Sequence, residues 1–168
     1  QHMNFIGMNS EKILNHSMAV QIYIWKSQHD DLGHSSMTLS DEIYISWWPG
    51  ITPTKSDSLM GKAIKASAVC GKSLKDDIKR FHGRTPDAKY TIPSDFINEE
   101  AIKIWWKTFN VNEDWHVLAQ NCCTVVYKAL CMGISTNEKR WTEVSIWTPD
   151  LLEKFVKILL KTTSNSLS

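Results

Sequence analysis

Two adjacent cysteines follow an asparagine in the stretch Gln120–Val126, which reads QNCCTVV. Asn121 is a favourable N-cap residue, so the stretch places Cys122 in the first turn of a predicted helix. Unpaired backbone N–H groups and the positive end of the helix dipole stabilise a thiolate there and lower its pKa. The pattern predicts a thiol nucleophile at Cys122. On these residues alone, an inert cysteine in the core remains the alternative.

A thiol nucleophile needs a base, and histidine is the usual one. We prefer His34, because it follows Gly33 at the entrance of a predicted strand, where a side chain projects from a rigid sheet edge. The alternative for His34 is a strand-end histidine without a chemical role. The other candidates outside the first three residues are His16, His29, His82 and His116.

Two other uses of the cysteines are disfavoured. A zinc site made of His116, Cys122 and Cys123 has adjacent cysteines, which rarely bind one metal, and lacks a fourth ligand at the expected spacing. A disulfide between Cys122 and Cys123 would be strained. We therefore predict no metal site.

Length and composition limit the class of protein. The 168 residues correspond to one domain, and the net charge of +1 gives no basic field for nucleic acid. No apolar run reaches the roughly 18 residues of a membrane span, and no secretory apolar segment opens the chain. The four cysteines show no CxxC pair, which is typical of reduced thiols in a cytosolic setting.

Alternating residues predict an antiparallel sheet. Strands are expected at 20–25, 34–39 and 43–48, with a fourth at 89–92 before Pro93. The first three form a meander, and His34 opens its middle strand.

Helices dominate the second half. A short helix is expected near 74–81, and a longer one from Ile97, capped by Ser94 or Asp95. Further helices begin at Asn121 and at Thr148-Pro149-Asp150. The apolar face of the longer helix is expected to contain Ile97, Ala101, Ile104, Trp105 and Thr108.

Strands before helices indicate an α+β fold. We expect a single catalytic domain over 20–161. It follows an N-terminal arm, 1–19, whose residues 1–3 resemble a cloning remnant, and precedes a disordered tail, 162–168.

Four segments together resemble a family of bacterial toxins and effectors with a circularly permuted papain-like fold. They are GHSSMTLSDEIYISWWP, SLKDDIKRFHGRTPDAKYTIP, NCCTVVYKAL and WTPDLLEKF. The family includes the Rho-inactivation domain of multifunctional autoprocessing toxins and related fatty acyltransferase effectors. The resemblance spans about residues 20 to 158. It implies an antiparallel sheet packed against helices, with the catalytic histidine before the cysteine.

The resemblance also implies residue roles. His34 matches the base and Cys122 the nucleophile, while Cys123 occupies the position of the family's usual serine. Asp77 matches the acidic member best, and Asp76 and Asp87 are the alternatives. For Asp76 and Asp77, a solvated helix face remains the competing interpretation.

The implied mechanism is acyl transfer through a thioester. The start of the cysteine helix, with Asn121 as cap and Cys123 beside it, would bind the oxyanion through backbone N–H groups. Trp47 and Trp48 are candidates for an acyl-chain groove, as are Trp105 and Trp106, with a purely core role as the alternative.

The biological setting follows from the resemblance as an expectation. We expect a monomeric bacterial protein secreted into the host cytoplasm without a classical signal peptide, or otherwise a cytoplasmic one. It would fatty-acylate lysines of a host protein, such as a small GTPase or a ubiquitin-like protein. Its contact with membranes would be peripheral. No cofactor is expected, and acyl-CoA is a candidate co-substrate.

Two other functions remain open at this point. One is a cysteine protease, isopeptidase or amidase of the same fold. The other is a binding module that keeps the fold and has lost catalysis.

Overall fold

The computed structural model describes residues 18–29, 31–50, 65–134, 144 and 146–165. The predicted N-terminal arm lies outside this part of the chain, except for Met18 and Ala19. Ala19 already belongs to the first strand.

The described residues form an α+β fold with seven strands and four α-helices. The strands are β1 (Ala19–Trp25), β2 (His34–Thr38), β3 (Tyr44–Pro49), β4 (Lys65–Ala66), β5 (Ala68–Cys70), β6 (Ala88–Pro93) and β7 (Trp115–His116). The helices are α1 (Leu74–Arg80), α2 (Glu99–Asn112), α3 (Cys122–Gly133) and α4 (Pro149–Asn165).

Five strands pair in one antiparallel sheet in the order β5-β3-β2-β1-β6. The predicted meander is therefore confirmed, and the fourth predicted strand, β6, pairs with β1 at the sheet edge. β4 and β7 form a separate two-stranded ribbon.

The two faces of the sheet differ in character. One face is apolar, because alternate residues of the central strands, among them Ile22, Met37, Ile45 and Trp47, are fully buried in the main core. Helix α3 packs against β2 and β3 on the apolar side, and α2 packs against α3. Paired residues point to the same side of a sheet, so the opposite face carries His34 together with the polar and aromatic residues aligned with it.

The start and the buried face of α2 differ from the sequence prediction. The helix begins at Glu99, and its cap is Asn98, whose side chain accepts a hydrogen bond from the Ala101 N–H at 3.1 Å. Ser94 and Asp95, the predicted caps, lie instead in a short 3-10 turn, Ser94–Phe96.

The buried residues of α2 are Ile102, Trp106 and Phe109, whereas Ile104 is 65% exposed. Apolar residues lie on several sides of this helix, so the periodicity of its sequence does not by itself indicate which face is buried. Ring contacts of Trp106 and Phe109 with Trp47 select it.

The C-terminal boundary also differs. Helix α4 continues to Asn165, so the prediction of a disordered tail from residue 162 is wrong for residues 162–165. Residues 166–168 lie outside the described residues.

Candidate active site

Helix α3 begins as the sequence predicts, and its start is firmly held. Asn121 Oδ1 accepts hydrogen bonds from the N–H of Thr124 at 3.0 Å and from its hydroxyl at 3.2 Å. The Asn121 amide donates to the carbonyls of Val117 at 3.0 Å and Trp147 at 2.9 Å. The cap therefore fixes Cys122 as the first residue of the helix and ties this end of α3 to the segment before α4.

A turn at Gly33 positions His34, the first residue of β2, in the active site. Gly33 has a φ of +75°, and a Cβ there would lie 2.5 Å from the Trp25 carbonyl oxygen and 2.8 Å from Pro149 Cγ. Only glycine fits this backbone and this space. Its N–H donates to Asp31 Oδ1 at 2.7 Å, which holds the turn before β2.

His34 bonds to an acidic residue on α1. Its Nε2 lies 3.1 Å from Asp77 Oδ2 and 3.1 Å from Ser46 Oγ. The His34 side chain is 1% exposed and that of Asp77 is fully buried. A buried carboxylate is costly unless its oxygens are hydrogen-bonded, so its partners decide whether it stays ionised.

Three further donors complete the shell around Asp77. Tyr44 OH donates at 2.7 Å, Ser46 Oγ at 2.8 Å and Trp48 Nε1 at 2.8 Å. Burial alone would raise the pKa of Asp77, but the hydrogen bond and charge of His34 and the bonds from Tyr44 and Ser46 outweigh it and lower that pKa. The carboxylate is therefore ionised at neutral pH.

The Cys122 sulfur is the other partner of His34. Hydrogen bonding from the Cys123 thiol lowers the pKa of Cys122 most, and burial opposes it. The charge and hydrogen bond of His34 and the Ser35 backbone N–H lower the pKa of Cys122 further, to well below its usual value. Because Asp77 occupies Nε2, Nδ1 is the ring nitrogen left for the sulfur.

The reciprocal effect acts on His34. Burial alone would lower its pKa, but the Cys122 charge, the hydrogen bonds to Asp77 and Cys122 and the Asp77 charge raise it to about 9. The favoured state at neutral pH is therefore a thiolate–imidazolium pair, with the imidazolium also bonded to a carboxylate.

The neighbouring thiol has the opposite character. Burial and the adjacent Cys122 raise the pKa of Cys123 well above its usual value. The two sulfurs are 4.0 Å apart, and Cys123 is 1% exposed whereas Cys122 is partly exposed. Cys122 is thus the ionised and accessible thiol of the two.

The structure distinguishes among the three acidic candidates. Asp87 is exposed and accepts hydrogen bonds from Arg84 and from the Lys26 N–H. Asp76 is half-buried in the first turn of α1, where its N–H binds Ser73 Oγ at 3.2 Å. Within the described residues, Asp77 is the one carboxylate bonded to His34.

The predictions for the four tryptophans have different outcomes. Trp47 as a groove residue is wrong, because its side chain is fully buried against Trp106 and Phe109 on the apolar side of the sheet. Trp48 lies at the site, but it stacks on the His34 ring at 4.0 Å. Trp106 is buried and Trp105 is half-buried beside it, as the core alternative predicts.

The asparagine is a cap and not an oxyanion donor through its side chain, since both amide hydrogens bind backbone carbonyls. The N–H groups of Cys122 and Cys123 remain, because no hydrogen bond among the described residues uses them. These two are the available oxyanion donors at the helix start.

Sequence reasoning missed Tyr44 and Ser46. They alternate with Trp48 on β3, and the pairing of Ser46 with Ser36 places all three on the face that carries His34. The alternation is visible in the sequence YISWW, but the sequence does not show which strand pairs with β3 and therefore which side of the sheet these residues face. Gly71 was also missed: a Cβ there would lie 2.6 Å from Ser46 Oγ and 2.7 Å from Asp77 Oδ1.

The described residues contain no group of three or more histidine, cysteine or acidic side chains placed to hold a metal ion. Among the same residues, no helix is long and apolar enough to cross a membrane.

No family model, curated protein or solved structure matches this chain. The chemical arrangement is therefore the basis for assigning a function: an activated thiolate, an imidazole and a buried carboxylate in one hydrogen-bonded chain.

Proposed function

We propose that this protein is a cysteine-dependent acyl-transfer enzyme that works through a thioester on Cys122. The observation that carries the proposal is the chain Cys122–His34–Asp77, assembled from α3, β2 and α1. Its histidine and carboxylate are buried, and its nucleophile is partly exposed. A structural cysteine has no need of a buried ion pair, whose desolvation is costly.

The first half of the reaction forms the thioester. The Cys122 thiolate attacks the carbonyl carbon of the donor, and a C–S bond forms as the carbonyl oxygen becomes an oxyanion. The tetrahedral intermediate collapses, the bond to the leaving group breaks, and the His34 imidazolium gives its proton to that group. Asp77 keeps the ring oriented and stabilises its charged form.

The second half regenerates the thiolate. Neutral His34 takes a proton from the acceptor, which attacks the thioester carbonyl and releases Cys122. A lysine amine gives a protein amide, and water gives hydrolysis. In both halves the N–H groups of Cys122 and Cys123 are the donors for the oxyanion.

The sheet and helix arrangement supports a permuted papain-like architecture as part of the proposal. The histidine comes from a strand that precedes the cysteine helix, in the order that the four resembling segments imply. With that family as the model, the protein is a bacterial effector that fatty-acylates lysines of a host protein in the host cytoplasm, with acyl-CoA as donor.

The test is covalent capture of the acyl group. Wild-type protein is incubated with a clickable fatty-acyl-CoA and followed by intact mass, before and after hydroxylamine, which cleaves thioesters. Cys122→Ala should abolish the adduct. Cys131→Ala is the matched control, because Cys131 lies on the same helix, and it should form the adduct as wild type does.

The outcomes separate the candidate functions. A Cys122-dependent thioester followed by lysine modification of a small GTPase supports acyl transfer. Absence of a thioester together with Cys122-dependent cleavage of an isopeptide or amide favours the hydrolase. If Cys122 also fails to react with a thiol-directed probe, catalysis is excluded and a binding module takes its place.

A further inference from the structure

Three aromatic rings surround the imidazole of His34. The ring of Trp48 stacks on it with centroids 4.0 Å apart and planes inclined by 23°. Trp25 lies 5.5 Å and Phe81 5.9 Å from it, both tilted. Trp25 and Phe81 also stack on each other at 5.4 Å, and Trp48 contacts Phe81 at 5.3 Å. We call these three side chains the aromatic box.

The three residues of the aromatic box lie on, or directly next to, strands and a helix that form the active site. Trp25 pairs with His34 across β1 and β2, and Trp48 belongs to β3 on the same face. Phe81 directly follows α1, and its N–H bonds to the Asp77 carbonyl at 3.0 Å. The residue that caps the end of this short helix therefore forms one wall around the histidine, while the helix itself supplies the carboxylate.

Two arginines lie near rings of the aromatic box. The Arg80 guanidinium lies 5.3 Å from the Trp48 ring centroid, and that of Arg84 lies 5.9 Å from the Phe81 ring centroid. The Arg84 carbonyl accepts the Trp25 indole N–H at 3.0 Å. Arg80 and Arg84 thus contact all three residues of the box between them.

We propose that Trp25, Trp48 and Phe81 are positioning residues, which hold the His34 ring between Asp77 and Cys122 and keep water from the His34–Asp77 hydrogen bond. An aromatic face attracts a cation, so the box offsets part of the cost of burying the imidazolium. It also makes that hydrogen bond stronger, because the bond lies in a medium of low dielectric.

Trp48 has two separable parts in this arrangement. Its ring faces the imidazole, whereas its Nε1–H donates to Asp77 Oδ1 at 2.8 Å. Trp48→Phe keeps a ring and removes the donor. Trp48→Leu removes both, so the two substitutions together distinguish stacking from hydrogen bonding.

The experiment measures the His34 ring proton and the Cys122 thiol directly. Nitrogen-detected NMR of 15N-labelled histidine reports the Nε2 proton and its exchange with water, and iodoacetamide alkylation read by peptide mass reports the thiolate. In Trp48→Leu we expect exchange of the Nε2 proton to be at least about ten-fold faster and alkylation at pH 7 to be about ten-fold slower. Trp48→Phe keeps a ring on the imidazole but removes the donor to Asp77, so both values should fall between those of wild type and Trp48→Leu. Trp105→Leu, a half-buried tryptophan on α2, is the matched control and should match wild type.

Wild-type exchange and alkylation in a folded Trp48→Leu protein would overturn the proposal, as would equal losses in the leucine and phenylalanine variants. If Trp48→Leu does not fold, Phe81→Leu and Phe81→Tyr make the same comparison at another wall, with loss expected for leucine and retention for tyrosine. Equal behaviour of that pair would then refute the box.

The inference rests on the proposed function only for its catalytic consequence. Proton exchange and alkylation are measured without any acyl donor. A protein that shows these ring effects but forms no thioester would keep the aromatic box and lose the acyl-transfer proposal.

Discussion

Replacing Asp77 with asparagine tests how the buried carboxylate controls the nucleophile. In the wild type, both oxygens of Asp77 accept hydrogen bonds, from His34, Tyr44, Ser46 and Trp48. Asparagine replaces one acceptor oxygen with an NH₂ donor, while the indole can only donate. When the amide oxygen faces Trp48, the NH₂ group faces His34 and favours the tautomer whose proton is on Nδ1, the atom that must accept from Cys122.

The size of the effect expected for Asp77→Asn follows from the pKa of His34. Its pKa of about 9, against the ordinary 6.5, corresponds to about 3 kcal/mol in favour of the imidazolium, to which the Cys122 thiolate and Asp77 both contribute. Without the Asp77 charge we expect the pKa of His34 to fall by at least about one unit and that of Cys122 to rise toward 8.5. At pH 7 the thiolate fraction then drops, and alkylation should slow about ten-fold. One donor left without an acceptor costs about 1–3 kcal/mol of folding stability.

The assay is iodoacetamide alkylation of Cys122 from pH 5 to 9, with His34 titrated by NMR and stability measured in urea. Asp76→Asn is the matched control, since Asp76 is the adjacent residue on α1, and it should behave as wild type. An Asp77→Asn protein with the wild-type alkylation midpoint and the wild-type His34 titration would refute the reasoning.

Three further predictions use the same site. Gly71→Ala should lower the free energy of unfolding by about 1–3 kcal/mol and slow alkylation, because its Cβ would lie 2.7 Å from Asp77 Oδ1; urea denaturation with unchanged stability would contradict this. Asn121→Ala should lower the free energy of unfolding by about 3 kcal/mol, because the helix cap and the two hydrogen bonds from the amide to backbone carbonyls are lost; unfolding curves that differ by less than about 1 kcal/mol would count against it. The rate of acyl transfer should follow a bell-shaped pH profile. Activity should fall at acidic pH as Cys122 gains a proton, at a pH well below the ordinary thiol pKa. It should fall again near pH 9, where His34 loses its proton. A single limb near 8.5 in stopped-flow assays would instead indicate an ordinary thiol.

Local sequence signals placed most elements correctly, because strand alternation and helix caps act over a few residues. The start of α3 is the clearest case: the cap of Asn121, the first-turn position of Cys122 and the end at Gly133 all follow from residues within that segment. The prediction failed for α2, where apolar residues lie on several sides and the choice of buried face depends on Trp47 and α3. It also failed for the end of α4, which continues through a polar segment to Asn165.

The sequence by itself determined the chemical types of the site: a cysteine at a helix start, a histidine after a glycine turn and a pair of aspartates in a short helix. Tertiary structure decided between Asp76 and Asp77, because neighbouring residues on a helix point in different directions and only contact with His34 separates them. It also separated the adjacent tryptophans, since successive residues of β3 face opposite sides of the sheet: Trp47 enters the core, and Trp48 covers the histidine. The sequence names both residues of each pair, but which one meets the histidine depends on strand pairing and helix packing between distant segments.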